Sequence, residues 1–287
     1  MSHPVAFLDV FTDRPLAGNG LAVVGEADDL DDEVMLAFAL ETRLSETTFV
    51  QTARAEADYR NRIWMPGAEL PFAGHPSLGT AVAVARWRGV DEASYVQETA
   101  AGLQPIDVRR EDGGPERWRA SMLQEEVVFG AELDRGEALA AVGLEAGHAD
   151  PELPPQIAST GLTHAIVPVS GVEAIARARP DYPAIDALLS PHDAEVLYLA
   201  WCEPGAGRAR ARGFSRTVAL GEDPATGSAA GPLCAYLAER TGAGRVAVSQ
   251  GEEMGRPSTI ETEIDGDRVR VSGYVVPLIA GSVELPA

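Results

Sequence analysis

The chain has 287 residues, with 44 acidic against 23 basic side chains and a net charge of −21. A field of that sign repels a phosphate backbone, so nucleic acid is not an expected partner, and the length suits two domains of ordinary size better than one. At 45% hydrophobic and 23% charged residues the chain can bury a sizeable core, which excludes the disordered and fibrous classes.

The opening residues, Met1-Ser2-His3-Pro4-Val5, lack a basic stretch followed by an apolar run, and no apolar segment approaches the ~20 residues needed to span a bilayer. A cytoplasmic protein without membrane contact is expected. Cys202 and Cys234 stand 32 residues apart with no Cys or His arrangement around them, which predicts reduced, buried thiols. His3, His75, His148, His164 and His192 are scattered without metal-ligand spacing, so no metal is expected.

In chain order, Val5–Phe11 and Leu21–Val24 read as strands around a turn-rich Thr12–Gly20, a hairpin-like opening. Asp31 is a plausible N-cap for a helix over Glu33–Glu41, and Thr47–Gln51 returns to β-formers, so Ser45 and Glu46 sit where a loop enters a strand. Tyr59–Met65 is a further strand, Pro66–Phe72 a loop, and Leu78–Trp87 an Ala- and Val-rich helix starting after Pro76. Strands are expected at Ser94–Thr99, Leu103–Arg109 and Arg117–Met122.

The second half repeats the order. A strand at Ala165–Val169 precedes helices near Val172–Arg179 and Pro183–Leu189, strands at Glu195–Cys202 and Arg208–Phe214, and a helix at Ala229–Arg240. The segments from His75 to Ala81 and from Asp223 to Ala229 share the pattern x-P-x-x-G-[S/T]-A at an offset of 148 residues, close to half the chain, which points to a duplicated lobe. The Pro-rich stretch from Asp150 to Pro155 is the natural crossover, giving lobes of 1–150 and 151–287, with the terminal strand free to pack back on the first.

Each repeated loop offers the free N–H groups of a helix N-terminus, the positive end of a helix dipole and the hydroxyl of Thr80 or Ser228. That is a suitable seat for a carboxylate. The same pattern also serves to cap two helices and nothing more. Under the repeat, His75 and Asp223 take the same place in the two copies, one titratable group on each side of a central cleft. An imidazole near neutral pKa can pass a proton either way. Glu46 heads an otherwise uncharged strand. It is either an exposed loop acid or, if enclosed, a carboxylate whose raised pKa lets it take and return a proton. No G-x-S-x-G elbow, P-loop or G-x-G-x-x-G turn is present, which removes support from hydrolase, P-loop and Rossmann readings.

Four segments together resemble the PhzF (phenazine biosynthesis PhzC/PhzF) family. They are Asp9–Pro15 with Gly18-Asn19, Leu44-Ser45-Glu46-Thr47-Thr48-Phe49, Glu69-Leu70-Pro71-Phe72-Ala73-Gly74-His75-Pro76, and Gly221–Gly231 with its Glu-Asp-Pro-Ala-Thr-Gly-Ser core. The resemblance implies an α+β fold of the diaminopimelate epimerase type, two duplicated lobes, each a β-sheet wrapped around a central helix. It further implies a cofactor-independent isomerase that moves a proton on a small, cyclic, carboxylate-bearing amino acid-like substrate, and a homodimer. Glu46 matches the family's proton carrier and His75 and Asp223 its supporting acid-base residues. Asn19, Ser45, Gly74, Gly227 and Ser228 match positions lining its substrate pocket.

Gly20 departs from the family's usual Pro, which is expected to loosen the turn beside Asn19. Related epimerases of this fold use two facing cysteines, and neither loop has one. Two other readings remain open: a non-catalytic small-molecule binding protein, and a thiol-independent epimerase using Glu46 and Asp223 on opposite faces of an α-carbon.

Overall fold

The computed structural model describes residues 1–113, 115–215 and 221–286. Two compact units result, one formed by Met1–Leu123 with Ser272–Ala287 and the other by Gln124–Val271.

The first unit contains β1 (Ser2–Val10), β2 (Asn19–Val24), α1 (Asp32–Thr42), β3 (Glu46–Gln51), β4 (Tyr59–Met65), β5 (Ala68–Leu70), α2 (Gly74–Arg88), β6 (Glu92–Thr99), β7 (Gly102–Arg110) and β8 (Trp118–Leu123). β1 and β2 form the expected antiparallel hairpin, and β2 runs parallel to β3 after the α1 crossover. β4 lies antiparallel to β3, then divides its free edge between a parallel pairing with β6 at Tyr59–Arg60 and an antiparallel pairing with β5 at Ile63–Met65. Asp31 caps α1 by accepting from the Val34 N–H, and the helix stops at Arg43 in the left-handed region. Its Met35 and Ala39 pack with Val5, Val24, Phe49 and Trp64.

The second unit contains β9 (Val128–Glu132), α3 (Arg135–Ala140), β10 (Gln156–Ser159), β11 (Thr163–Val169), α4 (Val172–Arg177), α5 (Tyr182–Leu189), β12 (Val196–Glu203), β13 (Arg208–Phe214), β14 (Glu222–Asp223), α6 (Gly227–Thr241), β15 (Arg245–Gln250) and β16 (Ser258–Asp265). β17 (Arg268–Glu284) starts in this unit and belongs to the first from Ser272 onward, where it pairs with β1.

The second unit repeats the pairing scheme of the first. β10 and β11 are antiparallel, β11 and β12 parallel, β12 and β13 antiparallel, and β13 divides its edge between β14 and a parallel β15, as β4 does between β5 and β6. Each unit therefore wraps its sheet around one 15-residue helix, α2 or α6. Small residues on every side let the strands approach these helices closely. In α2, everything from Gly74 to Ala85 is buried, and a Cβ on Gly79 would come within 2.5 Å of Leu21 Cδ2.

Three sequence expectations are corrected. The chain changes unit after Leu123 and not near Asp150, because β9 already pairs with β10 and the Pro-rich stretch is held inside the second unit by bonds such as Tyr236 Oη to the Pro154 carbonyl. Within Pro66–Phe72, expected as a loop, Ala68–Leu70 forms β5. The duplication stands, but the register taken from the x-P-x-x-G motif does not. α2 begins at Gly74 and α6 at Gly227, an offset of 153, so His75 is the second residue of its helix whereas Asp223 precedes its helix in β14. The two are not equivalent positions. Of the thiols, Cys234 is buried and Cys202 only partly so.

Candidate active site

In the first unit three separate stretches of chain meet. β2 starts at Asn19, β3 starts at Glu46 and α2 carries His75 in its first turn. The approach to Asn19 is set by a tight turn. Leu16 N–H donates to Asp9 Oδ2 at 2.6 Å, and Gly18 has φ +65 with the Val10 carbonyl where a Cβ would sit. Gly20 lies beyond that turn, in β2 opposite Asp9, so the departure from Pro falls within the strand and not in the turn. β3 and α2 are joined by a buried 2.8 Å bond between the Thr48 and Thr80 hydroxyls, which ties the strand bearing Glu46 to the helix bearing His75.

The result is a compact polar cluster. Asn19 Nδ2 lies 3.2 Å from His75 Nδ1, and His75 Nε2 lies 3.2 Å from Glu46 Oε2. With the amide nitrogen assigned as donor, Nδ1 accepts and the ring proton resides on Nε2, facing the carboxylate. Nε2 and Oε2 are close without being aligned as a hydrogen bond. Burial pushes the His75 imidazole down to about 3, so the ring is neutral at ordinary pH. This corrects the expectation of a histidine poised near neutrality: it can donate through Nε2–H but holds no second proton to give. The Glu46 side chain is 13% exposed. Ser45 is half-buried just before β3, and Gly74, buried, is the first residue of α2, whose N-cap Ala73 has no side chain able to cap it.

In the second unit Asp223 is buried and accepts from Thr226 Oγ1 at 2.7 Å. Gln250 ties this corner together. Its Nε2 donates to the Asp223 carbonyl (2.7 Å) and to Thr226 Oγ1 (2.9 Å), while its Oε1 accepts from Tyr198 Oη (2.8 Å) and Thr226 N–H (3.1 Å). Every polar atom of the Gln250 amide is used, which fixes the chain from Asp223 to Thr226 against β15. Gly227, buried, and Ser228, partly exposed, open α6. Sequence reasoning did not single out Thr226, Tyr198 or Gln250. Thr226 lay inside a quoted motif, but a Tyr and a Gln within strands give no signal of their own.

A thiol mechanism finds no support in the chemistry of the two cysteines: burial pushes the Cys202 thiol up to about 12, and burial likewise raises Cys234. Among the described residues no group of three or more His, Cys, Asp or Glu could hold a metal ion, and no helix is long and apolar enough to cross a membrane.

The two units define the class by their fold, a sheet wrapped around a central helix and made twice. Comparison with known proteins gives the family. The family model described as phenazine biosynthesis-like protein, PhzC-PhzF, matches residues 8–281, and the chain belongs to this family. It is 37% identical over 279 residues to the trans-2,3-dihydro-3-hydroxyanthranilate isomerase of Pseudomonas aeruginosa, covering 96% of this chain and 95% of that one. Among solved structures it is similar to the PhzF-family phenazine biosynthesis protein of Bacillus anthracis, with a TM-score of 0.85, 28% identity and 99% of each chain covered. A hydroxyproline epimerase from Agrobacterium vitis, at a TM-score of 0.64, 12% identity and coverage of 98% of this chain and 92% of that one, shows the shared fold alone. The protein is an isomerase of the PhzF type.

Proposed function

We propose that this isomerase works without a cofactor, moving a proton on a small, cyclic, carboxylate-bearing amino acid-like substrate. The observation that carries the reading is the 3.2 Å approach of Glu46 Oε2 to His75 Nε2, on a ring whose other nitrogen is engaged by Asn19. Glu46 is the base. It takes a proton from a carbon next to an unsaturated or carbonyl-bearing centre and returns it to another carbon on the same face, so that a double bond migrates.

His75 stays neutral throughout. Its Nε2–H faces the Glu46 carboxylate at 3.2 Å and, as a neutral donor, favours the charged form of the base far less than a cation would. An imidazolium there would lower the pKa of Glu46 and weaken it as a base. Asp223, held by Thr226, is assigned a supporting acid-base role. Ser45 and the N–H groups at the start of α2 and α6, around Gly74, Gly227 and Ser228, are assigned to the polar and anionic groups of the substrate.

The first compound to test is the one named for the Pseudomonas aeruginosa relative, trans-2,3-dihydro-3-hydroxyanthranilate, followed by a panel of cyclic amino and hydroxy acids. Double-bond migration of any of these without added cofactor, seen by proton NMR, is the expected result. Saturable binding with no chemical change in any of them would instead favour a binding protein that keeps the fold without turnover.

A further inference from the structure

The two units share a feature that lies outside the proposed chemistry. On β4, Arg62 grips Glu69 of β5 with both arms of its fork, Nε to Oε1 at 2.7 Å and Nη2 to Oε2 at 2.6 Å, and its guanidinium lies 5.4 Å from the Trp64 ring centroid. On β13, Arg212 grips Glu222 of β14 in the same way, at 2.7 and 2.8 Å, and lies 4.8 Å from the Phe214 ring. The free arm is also used each time. Arg62 Nη1 reaches Asp32, the first residue of α1, at 2.7 Å, and Arg212 Nη1 reaches the carbonyls of Ile175 and Ala178 at the end of α4, at 3.0 and 3.1 Å.

The positions correspond as well as the contacts. Arg62 precedes Ile63, which faces Leu70 in the β4–β5 ladder; Arg212 precedes Gly213, which faces Asp223 in the β13–β14 ladder. Glu69 stands five residues before Gly74 and Glu222 five before Gly227, the first residues of α2 and α6. Glu222 is moreover the immediate neighbour of Asp223. Among the described residues, then, each unit closes the short hairpin before its long helix with an arginine fork stacked on an aromatic ring two residues further on.

We infer that these two Arg–Glu pairs are positioning devices. They set the twist and register of the hairpin that delivers His75 in the first unit and Asp223 in the second. This rests on the roles given above to those two residues. A planar fork bound at both carboxylate oxygens and stacked on a ring fixes orientation in a way that a point charge cannot. Stability alone is a weak reason to build such a pair twice, because taking both charges out of water offsets most of their attraction. Arg212 and Glu222 have side chains only 8% and 13% exposed.

The test is Arg212→Lys, with Glu222→Asp as the second variant should the first not fold, and Arg62→Lys for the other unit. Lysine keeps the charge and loses the fork and the stacking. Peptide-resolved amide hydrogen exchange, thermal unfolding and steady-state kinetics are measured on the full chain. In Arg212→Lys, exchange accelerates tenfold or more over residues 221–228 with the rest of α6 unchanged, and kcat falls about ten- to a hundredfold with KM within about twofold. Arg62→Lys does the same over residues 70–76. A purely structural staple would instead lower the unfolding temperature and reduce activity only by the fraction unfolded. Unchanged exchange in those segments, or kcat within twofold of wild type, overturns the inference. If wild type turns over none of the probe compounds, the proposed function fails, and the exchange measurement decides the positioning role by itself.

Discussion

Asn19 and His75 share a buried hydrogen bond of 3.2 Å, from side-chain amide to Nδ1, and this bond leaves Nε2 as the ring nitrogen that faces Glu46. The two residues are 56 apart in sequence, so the tautomer of the histidine is set by a strand from the start of the chain.

The first prediction concerns that tautomer. Nitrogen-15 NMR of the histidine rings should show His75 as the Nε2–H form across neutral pH. Asn19→Ala removes the donor, leaves Nδ1 buried without a partner and admits the Nδ1–H tautomer. Turnover is then expected to fall by about tenfold or more, with stability down by about 1–3 kcal/mol. A His75 already in the Nδ1–H form in wild type would contradict the account.

A second prediction follows from the central helix of the first unit. A Cβ on Gly79 would lie 2.5 Å from Leu21 Cδ2 and 3.0 Å from Val10 Cγ2. Gly79→Ala should therefore cost about 1–3 kcal/mol by overpacking, despite the better helix propensity of Ala. Adding Leu21→Ala opens the space, so the double variant should be less destabilised than the sum of the two single changes. Strict additivity in thermal unfolding would show that the contact is not the cause.

The third concerns acid. His75 and His164 are both buried and neutral, each pushed down to about 3 by burial, for His164 against an opposing pull from the Ser228 backbone. In the unfolded chain each takes a proton near pH ~6.5. Below that value the unfolded state binds protons that the folded state refuses, so stability present above pH ~6.5 is lost as pH falls toward 3, by up to about 1.4 kcal/mol per pH unit for each histidine. Denaturant midpoints measured from pH 7 to pH 4 should fall, and His164→Gln should make that fall shallower. An identical slope in the variant would remove His164 from the explanation.

Much of the architecture could be read from local pattern. Tyr59–Met65 was expected as a strand and is β4 to the residue, because its β-formers are bounded on both sides by turn and loop composition. Asp31 was recognisable as a cap for the same local reason. What could not be read was anything set by distant partners. The x-P-x-x-G pattern aligned Gly79 with Gly227, yet Gly79 is a mid-helix residue kept small by Leu21 while Gly227 starts its helix. The true equivalence is carried by strand pairing, which short Pro and Gly patterns do not encode. Pro76 marked the helix approximately, since proline is tolerated anywhere in a first turn, and α2 in fact starts two residues earlier.

Around the candidate site the same division holds. No spacing in the sequence brings Asn19, Glu46 and His75 together; the family resemblance named them and the hairpin, the α1 crossover and α2 make them neighbours. The histidine's neutrality was invisible, because it comes from enclosure by the fold and not from any adjacent residue.

The most direct test of the account is turnover in heavy water. Wild type should move the double bond of an accepted substrate, detected by NMR, with deuterium entering the product in the fraction of turnovers in which Glu46 exchanges its proton with solvent before returning it. Glu46→Gln should lower the migration rate by about 10²- to 10⁴-fold while binding the same compound with little change in affinity. Migration at the wild-type rate in Glu46→Gln would mean that another group carries the proton.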